Sequence, residues 1–130
     1  CRYSVRKGIL TEVMTLPTIP ADFTGNNSCA HLELHPTGSF LYAANRGHDS
    51  IAMFQVNQLT GRIRGIGQVP TEKTPRSFNV EPQGRFLFAA GQGSAKVAAY
   101  RVDLLEGGLE RIGTYDVGEK PWWIKAVRFK

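Results

Sequence analysis

The residues of this sequence that could bind or transform a small anion lie near breaks in the chain marked by proline and glycine. They are His31, Arg46, His48, Asp49, Arg76, Gln92 and Trp122. Two guanidinium groups in a concave site bind a phosphate or carboxylate through forked hydrogen bonds. A neutral histidine can relay a proton near pH 7, as the hydrolysis of an ester or lactone requires. These residue types therefore predict a site for an anionic small molecule.

Composition excludes several other classes of function. The chain has 130 residues, of which 42% are hydrophobic, and a formal net charge of +5, which allows one ordinary domain. It has no apolar run near the roughly 18 residues of a membrane span, and its Lys and Arg are too dispersed for nucleic-acid binding. Cys1 and Cys29 belong to no cluster with metal-ligand spacing. We therefore expect free thiols in the reducing cytoplasm, and neither a metal nor another cofactor.

The chain repeats itself at an offset of 46 residues. Residues 32–67 align without a gap to residues 78–113. The aligned stretches share a proline and glycine turn, a phenylalanine-leucine pair, an alanine pair and a closing isoleucine-glycine pair. Self-similarity of this length at one offset indicates a repeat architecture rather than chance.

Each complete unit is predicted to contain four short strands, separated by Pro- and Gly-containing turns, with no helical stripe. Four strands recurring every 40–50 residues are typical of a β-propeller blade. The fold prediction is all-β, a propeller segment of four-stranded antiparallel blades. Residues 1–130 then form a single partial propeller domain, divided into the end of one blade, two whole blades and the inner strand of a closing blade. These parts are residues 1–19, 28–73, 74–119 and 120–130.

Strand direction predicts which side chains share one end of this domain. In an antiparallel blade, the turns after the first and third strands lie on one face. The loop after the second strand and the link to the next blade lie on the opposite face, where the inner strands open into the central channel. This channel mouth is predicted to collect His31, Arg76 and Trp122 from the links, and Arg46, His48, Asp49 and Gln92 from the loops. His35 falls on the other face.

Each candidate also has a structural alternative. Arg46 could be held against a neighbouring blade, and His48 and Asp49 could serve the turn that contains them. Gln92 lies between two glycines, which indicate a tight loop as well as a residue able to bind a substrate hydroxyl. Trp122 could pack against the protein instead of binding substrate. The sequence alone does not choose between these roles.

Three segments carry a resemblance to a known family. They are S-C-A-H at 28–31, N-R-G-H-D-S-I at 45–51 and T-P-R-S-F at 74–78. With the sequence around them, they resemble the seven-bladed propeller lactonases, which include propeller-type 6-phosphogluconolactonases and carboxymuconate lactonising enzymes. The resemblance implies a parent of more than twice this length, of which the chain forms about the last two and a half blades. The missing amino-terminal blades, or another chain, would complete the ring.

The resemblance also implies a function and a set of roles. Arg76 and Arg46 match the arginines with which the family holds an anionic substrate, and His31 lies where many relatives have a carboxylate. We expect hydrolysis of a sugar lactone, with His31 and Arg76 catalytic. Arg46, His48, Gln92 and Trp122 are then expected to bind substrate. The alternatives are a lactonising isomerase of the same family, and a non-catalytic propeller or fragment that serves protein contacts.

Overall fold

The computed structural model describes residues 1–129, and Lys130 lies outside the described residues. All regular secondary structure in residues 1–129 is β-strand, so the all-β prediction is confirmed. No helix of this part is long and apolar enough to span a membrane. The strands are β1 (Arg2–Ser4), β2 (Ile9–Thr11), β3 (Ser28–Leu34), β4 (Phe40–Arg46), β5 (Ser50–Val56), β6 (Ile63–Pro70), β7 (Pro75–Val80), β8 (Phe86–Gly91), β9 (Lys96–Val102) and β10 (Leu109–Asp116).

The strands form two four-stranded antiparallel sheets and one short hairpin. The sheet β3-β4-β5-β6 is called blade one below, the sheet β7-β8-β9-β10 is blade two, and β1 pairs with β2. Register follows the sequence repeat, because Ala43 pairs with Ala52 in blade one and Ala89 pairs with Ala98 in blade two. This meander connectivity places the turns and loops on the two faces that strand direction predicted.

The main hydrophobic core lies between the two blades. Blade one contributes alternate side chains such as Phe40 and Ile51, and blade two contributes Phe78 and Leu87. All four are buried. Alternation along a strand sends neighbouring residues to opposite sides of a sheet, so each blade has one side toward the preceding layer and one toward the next. The core therefore fixes the angle between the blades, and with it the spacing of the loops at the channel mouth.

The turns on the face away from the predicted site also join the blades. His35 is almost fully buried, and its Nε2 donates to the carbonyl oxygen of Gly84 at 2.8 Å. The Tyr42 hydroxyl donates to the carbonyl oxygen of Gly107 at 3.0 Å. Both bonds run from blade one to a turn of blade two. His35 accordingly has a structural role at this face.

Residues 117–129 contain no assigned strand, although an inner strand was predicted for 120–130. A β-strand forms backbone-to-backbone hydrogen bonds with its neighbour. In this segment, by contrast, backbone amides donate to side chains of β7. The amide of Ile124 donates to Ser77 Oγ at 3.3 Å, and that of Ala126 donates to Asn79 Oδ1 at 2.8 Å. We call residues 117–129 the C-terminal segment. Its membership of a closing blade stays a prediction.

Candidate functional site at the channel mouth

The loop between β4 and β5 is organised by Asn45, which is fully buried. Its Nδ2 donates to the Thr18 carbonyl oxygen at 2.8 Å and to Ser50 Oγ at 3.2 Å. Its Oδ1 accepts from the Thr18 hydroxyl at 2.7 Å and from Asn27 Nδ2 at 3.2 Å. A buried amide with four partners has its hydrogen-bonding capacity satisfied. Asn45 thus fixes the loop that follows Arg46 against the long segment that precedes β3.

Asp49 joins the same loop to the link between the blades. Its Oδ1 accepts hydrogen bonds from the amides of Gly47 at 3.3 Å and Thr74 at 2.8 Å. Asp49 itself adopts a φ of 51°, a left-handed conformation that aspartate tolerates better than most residues. Because Thr74 stands two residues before Arg76, this carboxylate helps to place the start of β7.

Arg46 and Arg76 line one small cavity of about 140 Å³ together with Cys29 and Ala30. Arg46 Nη2 donates to the Cys29 carbonyl oxygen at 3.2 Å, while its Nε is enclosed without a hydrogen-bond partner. Within residues 1–129, neither arginine has a carboxylate within ion-pair distance. Two guanidinium groups on one concave surface, neither of them ion-paired within residues 1–129, provide the donor set that an oxyanion binds.

Trp122 from the C-terminal segment covers one side of Arg76. The guanidinium carbon lies 3.5 Å from the centroid of the indole ring, which is a cation–π distance. A guanidinium stacked on its flat face keeps its edge N–H groups available for a bidentate contact. The structure thus brings together three of the predicted residues, Arg46, Arg76 and Trp122.

His31 lies on β3 beside this cavity but lines a second one. That cavity, of about 150 Å³, is bounded also by Glu33, Phe78, Asn79 and Trp123. The imidazole packs edge-on against the Phe78 ring, with 4.8 Å between ring centroids. Its Nε2 lies 3.7 Å from Glu33 Oε2, which is too long for a hydrogen bond. His31 is therefore adjacent to the arginine cavity rather than inside it.

Glu33 is the residue of this region that sequence reasoning missed. Its Oε1 accepts from Asn79 Nδ2 at 2.7 Å, and its Oε2 accepts from the amide of Val80 at 3.2 Å. The carboxylate therefore fastens β3 of blade one to β7 of blade two next to His31. The available signal was strand alternation, which places Glu33 on the same side of β3 as His31.

His48 and Gln92 line neither cavity. His48 Nδ1 is 2.7 Å from Ser50 Oγ, and its ring meets the edge of Phe23 at 4.8 Å between centroids. The backbone amide of Gln92 donates to the Thr74 carbonyl oxygen at 3.0 Å, in the tight loop that the flanking glycines predicted. These contacts give both residues a role in the loops, and their contact with substrate stays a prediction.

Two larger grooves lie away from the arginines, and the geometry of the blades explains them. One groove of about 420 Å³ runs along residues 101–110, and another of about 430 Å³ runs along residues 55–64. Both occupy the outer hairpin of a blade, and they lie at positions related by the sequence repeat. A groove present at the same place in both blades follows from blade geometry. In residues 1–129, no three His, Cys, Asp or Glu side chains gather as a metal site.

The fold is that of a partial β-propeller, with loops from successive blades around a cavity lined by two arginines. The chain belongs to the seven-bladed β-propeller lactonase family, whose family model matches residues 1–126. The predicted resemblance is thereby confirmed.

Curated relatives include enzymes named for one reaction. The chain is 36% identical over 120 residues to the 6-phosphogluconolactonase of Serratia proteamaculans (strain 568), covering 92% of this chain and 36% of the relative. It is 42% identical over 77 residues to the 6-phosphogluconolactonase of Bacillus subtilis (strain 168), covering 58% of this chain and 22% of the relative. The chain therefore spans only about a fifth to a third of the length of these relatives.

Solved structures resemble this chain closely over a similar share of their length. A crystal structure of a protein from Lactobacillus plantarum superposes with a TM-score of 0.88 at 31% identity, covering 94% of this chain and 36% of that one. The periplasmic gluconolactonase of Pseudomonas aeruginosa superposes with a TM-score of 0.81 at 30% identity, covering 86% and 32% respectively. Both likenesses support the partial-propeller architecture.

Proposed function

We propose that this chain forms part of a sugar lactonase of the 6-phosphogluconolactonase type, with Arg46 and Arg76 binding the anionic end of the substrate. The observation that carries the proposal is the shared cavity of these two arginines, neither of which is ion-paired within residues 1–129. The names of relatives such as the Serratia proteamaculans enzyme supply the reaction class. A small lactone with a phosphate or carboxylate group is the substrate class that fits both the arginine cavity and this reaction class.

The size of the cavity indicates which part of a substrate it would hold. At about 140 Å³ it is smaller than the roughly 300–1,000 Å³ of a complete ligand pocket. It therefore accommodates one anionic group, and the sugar ring extends from it toward the neighbouring cavity lined by His31. Arg76 stacks on Trp122 and so presents the edge of its guanidinium, the geometry that binds two oxygens of one group.

The chemical step is addition of water to the lactone carbonyl. His31, as general base, takes a proton while the water oxygen bonds to the carbonyl carbon, and the carbonyl oxygen becomes an oxyanion. The oxyanion then collapses, the bond between carbonyl carbon and ring oxygen breaks, and the ring oxygen receives the proton from His31. The product is the open-chain hydroxy acid.

We also propose that the protein is located in the cytoplasm. Cys1 and Cys29 are both free and exposed, as expected for a protein of the reducing cytoplasm. The Pseudomonas aeruginosa relative, by contrast, is named as a periplasmic protein. Measuring the location of the protein by cell fractionation distinguishes the two compartments.

The proposal is tested first by ligand binding to the 130-residue chain. Amide and arginine side-chain resonances are followed by NMR during titration with inorganic phosphate and then 6-phosphogluconate. We expect shifts at Cys29, Ala30 and both arginine Nε–H groups. Because charge-assisted hydrogen bonds contribute about 1.5–3 kcal/mol, R76A and R46A should each weaken phosphate binding about tenfold or more. R101A is the control, since Arg101 is exposed and ion-paired on β9.

Hydrolysis is measured next by following ring opening of a 6-phosphorylated gluconolactone above its spontaneous rate. Equal phosphate binding by the parent chain, R76A and R46A would refute the arginine assignment. Conversion of a carboxylated muconate instead of the sugar lactone would favour the lactonising isomerase. Absence of binding to either class of anion would favour a propeller that serves protein contacts.

A further inference from the structure

The cavity beside His31 contains a fixed negative charge. Glu33 lines this cavity together with His31, and the side chain of Glu33 is only 22% exposed. Asn79 Nδ2 and the Val80 amide each donate to one of its two oxygens, which holds the carboxylate in place. Within residues 1–129, no arginine or lysine lies within ion-pair distance of Glu33. Its charge therefore acts on whatever occupies the cavity.

The two cavities at the channel mouth follow one another along the inner strands. On β3, Ala30 lines the arginine cavity and His31 lines the next one. On β7, Arg76 lines the arginine cavity and Phe78 lines the next one. Positions two residues apart on a strand are separated by about 7 Å, a distance that one sugar ring with its substituents spans. A ligand whose anionic group binds the arginines therefore places its other end beside His31 and Glu33.

Hydrolysis changes the charge of that other end. The lactone is neutral there, whereas the open-chain hydroxy acid releases a proton to solvent and is a carboxylate at neutral pH. In the proposed mechanism His31 has returned its proton to the ring oxygen, so the imidazole is neutral again when the product forms. The new carboxylate then shares a cavity with that of Glu33, and like charges at short separation repel each other.

We propose that Glu33 makes this site discriminate against the hydrolysis product, by repelling the carboxylate that the reaction creates. The proposal rests on the lactonase function proposed above, and it gives Glu33 a role in specificity and product release besides its hydrogen bonds to β7. The substrate class it favours is anionic at one end and neutral at the other. A ligand with acidic groups at both ends, such as a carboxylated muconate, is disfavoured for the same reason.

Lys125 also lines this cavity and carries the opposite charge. It lies on the C-terminal segment, is exposed, and forms no ion pair within residues 1–129. Solvent screens the charge of an exposed and flexible lysine, so its attraction for a carboxylate should be weaker than the repulsion from Glu33. Removing these two charges should therefore change the affinity for the product in opposite directions.

Two ligands that differ in a single group test the proposal. Glucitol 6-phosphate ends in a neutral hydroxymethyl group, where 6-phosphogluconate ends in a carboxylate. NMR titration of the 130-residue chain measures both dissociation constants, and inorganic phosphate probes the arginine cavity alone. In E33Q, the affinity for 6-phosphogluconate should rise about fivefold or more relative to that for glucitol 6-phosphate. E110Q is the matched control, because Glu110 lies on β10, is exposed and lines neither cavity.

K125Q supplies a second measurement at an exposed position. It should lower the relative affinity for 6-phosphogluconate about twofold, and amide spectra check that each variant is folded. A ratio of affinities in E33Q equal to that in E110Q overturns the proposal even when phosphate binds, and so does a K125Q variant that raises the relative affinity for 6-phosphogluconate. Failure of the parent chain to bind phosphate would instead refute the arginine site and the proposed function with it.

Discussion

The Asp49 carboxylate accepts a hydrogen bond from the Thr74 amide at 2.8 Å, across the boundary between the two blades. Asp49 ends the loop that follows Arg46, and Thr74 ends the link between β6 and β7, two residues before Arg76. The same carboxylate oxygen also accepts from the amide of Gly47. One aspartate therefore sets the relative positions of the two loops from which both arginines extend.

Removing this carboxylate should disturb both stability and anion binding. We expect D49A to lose about 1–3 kcal/mol of unfolding free energy, because the partly buried Thr74 amide loses its acceptor and because alanine tolerates the left-handed φ of this position less well than aspartate. Phosphate affinity should fall as Arg76 moves. D103A is the control, since Asp103 accepts from the amides of Leu105 and Glu106 in an exposed turn. A D49A variant with unchanged phosphate affinity would contradict the positioning role.

Two glycines at equivalent turns provide a direct measure of the contact between blades. Gly61 and Gly107 have φ values of 71° and 77°, so alanine is strained at both. A Cβ at Gly61 meets open space, whereas one at Gly107 overlaps the ring of Phe40 in blade one. G61A should cost about 1–2 kcal/mol from backbone strain alone. G107A should cost a further 1–3 kcal/mol or so, because Phe40 must shift.

Urea unfolding of the two variants under one set of conditions gives the comparison. The pair Gly38 and Gly84 serves as an independent repeat, since both have a φ of 76° and only Gly84 lies against another blade, at His35. Equal losses for G61A and G107A would show that Phe40 does not pack against the Gly107 turn.

Much of the fold follows from local sequence pattern. The ungapped repeat predicted two equivalent sheets of four strands each. Pairing of Ala43 with Ala52 and of Ala89 with Ala98 bears out the register that the repeat implies. Antiparallel connectivity then placed Arg46 and Arg76 at the same end of the molecule. These features are predictable because they depend on periodicity and strand direction alone.

Contacts of individual site residues were less accessible to sequence reasoning. His48 packs against Phe23, in a segment without a counterpart in the repeat, so no pattern predicted its orientation. Glu33 was missed because it lies within β3, whereas most of the predicted site residues lie in loops and links. An inner strand was predicted for residues 120–130, but residues 120–129 form no backbone ladder with β7. The backbone amides of Ile124 and Ala126 donate to side chains of β7 instead. Side-chain direction and partner choice depend on tertiary packing.

The buried hydroxyl of Tyr42 should make stability depend on alkaline pH. Burial raises the pKa of Tyr42, and the charge of Asp103 raises it further. The folded state then keeps a proton that the unfolded state loses above about pH 10, so stability is present below that pH and is lost as pH rises beyond it. Burial likewise raises the pKa of Tyr100. Ionisation of Tyr100 therefore also makes the folded state less stable as the pH rises beyond that point.

Urea unfolding of Y42F at neutral and alkaline pH isolates the contribution of Tyr42. At pH 7, Y42F should lose about 1 kcal/mol of unfolding free energy, because phenylalanine has no hydroxyl to donate to the Gly107 carbonyl oxygen. Above about pH 10 its stability should fall less steeply than that of the parent chain. Y115F, at an exposed ring, should leave the free energy at pH 7 unchanged. Equally steep curves for Y42F and the parent chain would refute the linkage.

The stack of Trp122 on Arg76 should contribute to anion affinity. W122A removes a cation–π contact of about 0.5–1 kcal/mol at an exposed site, so phosphate binding should weaken about two- to fivefold. W123A is the control, because Trp123 is similarly exposed but does not cover the guanidinium. NMR titration with inorganic phosphate measures both affinities. Equal affinities for the two variants would remove Trp122 from the site.

Glu33 should stabilise the contact between β3 and β7 as a hydrogen-bond acceptor rather than as a charge. E33A leaves the amide of Val80 and the Nδ2 of Asn79 without acceptors, which should cost about 1–3 kcal/mol of unfolding free energy. E33Q keeps one carbonyl oxygen as an acceptor and should lose less. Urea unfolding measures the ranking, with E110A as a control, because Glu110 forms only an exposed ion pair. A loss for E33Q as large as that for E33A would contradict this ranking and show that the contact needs both carboxylate oxygens as acceptors.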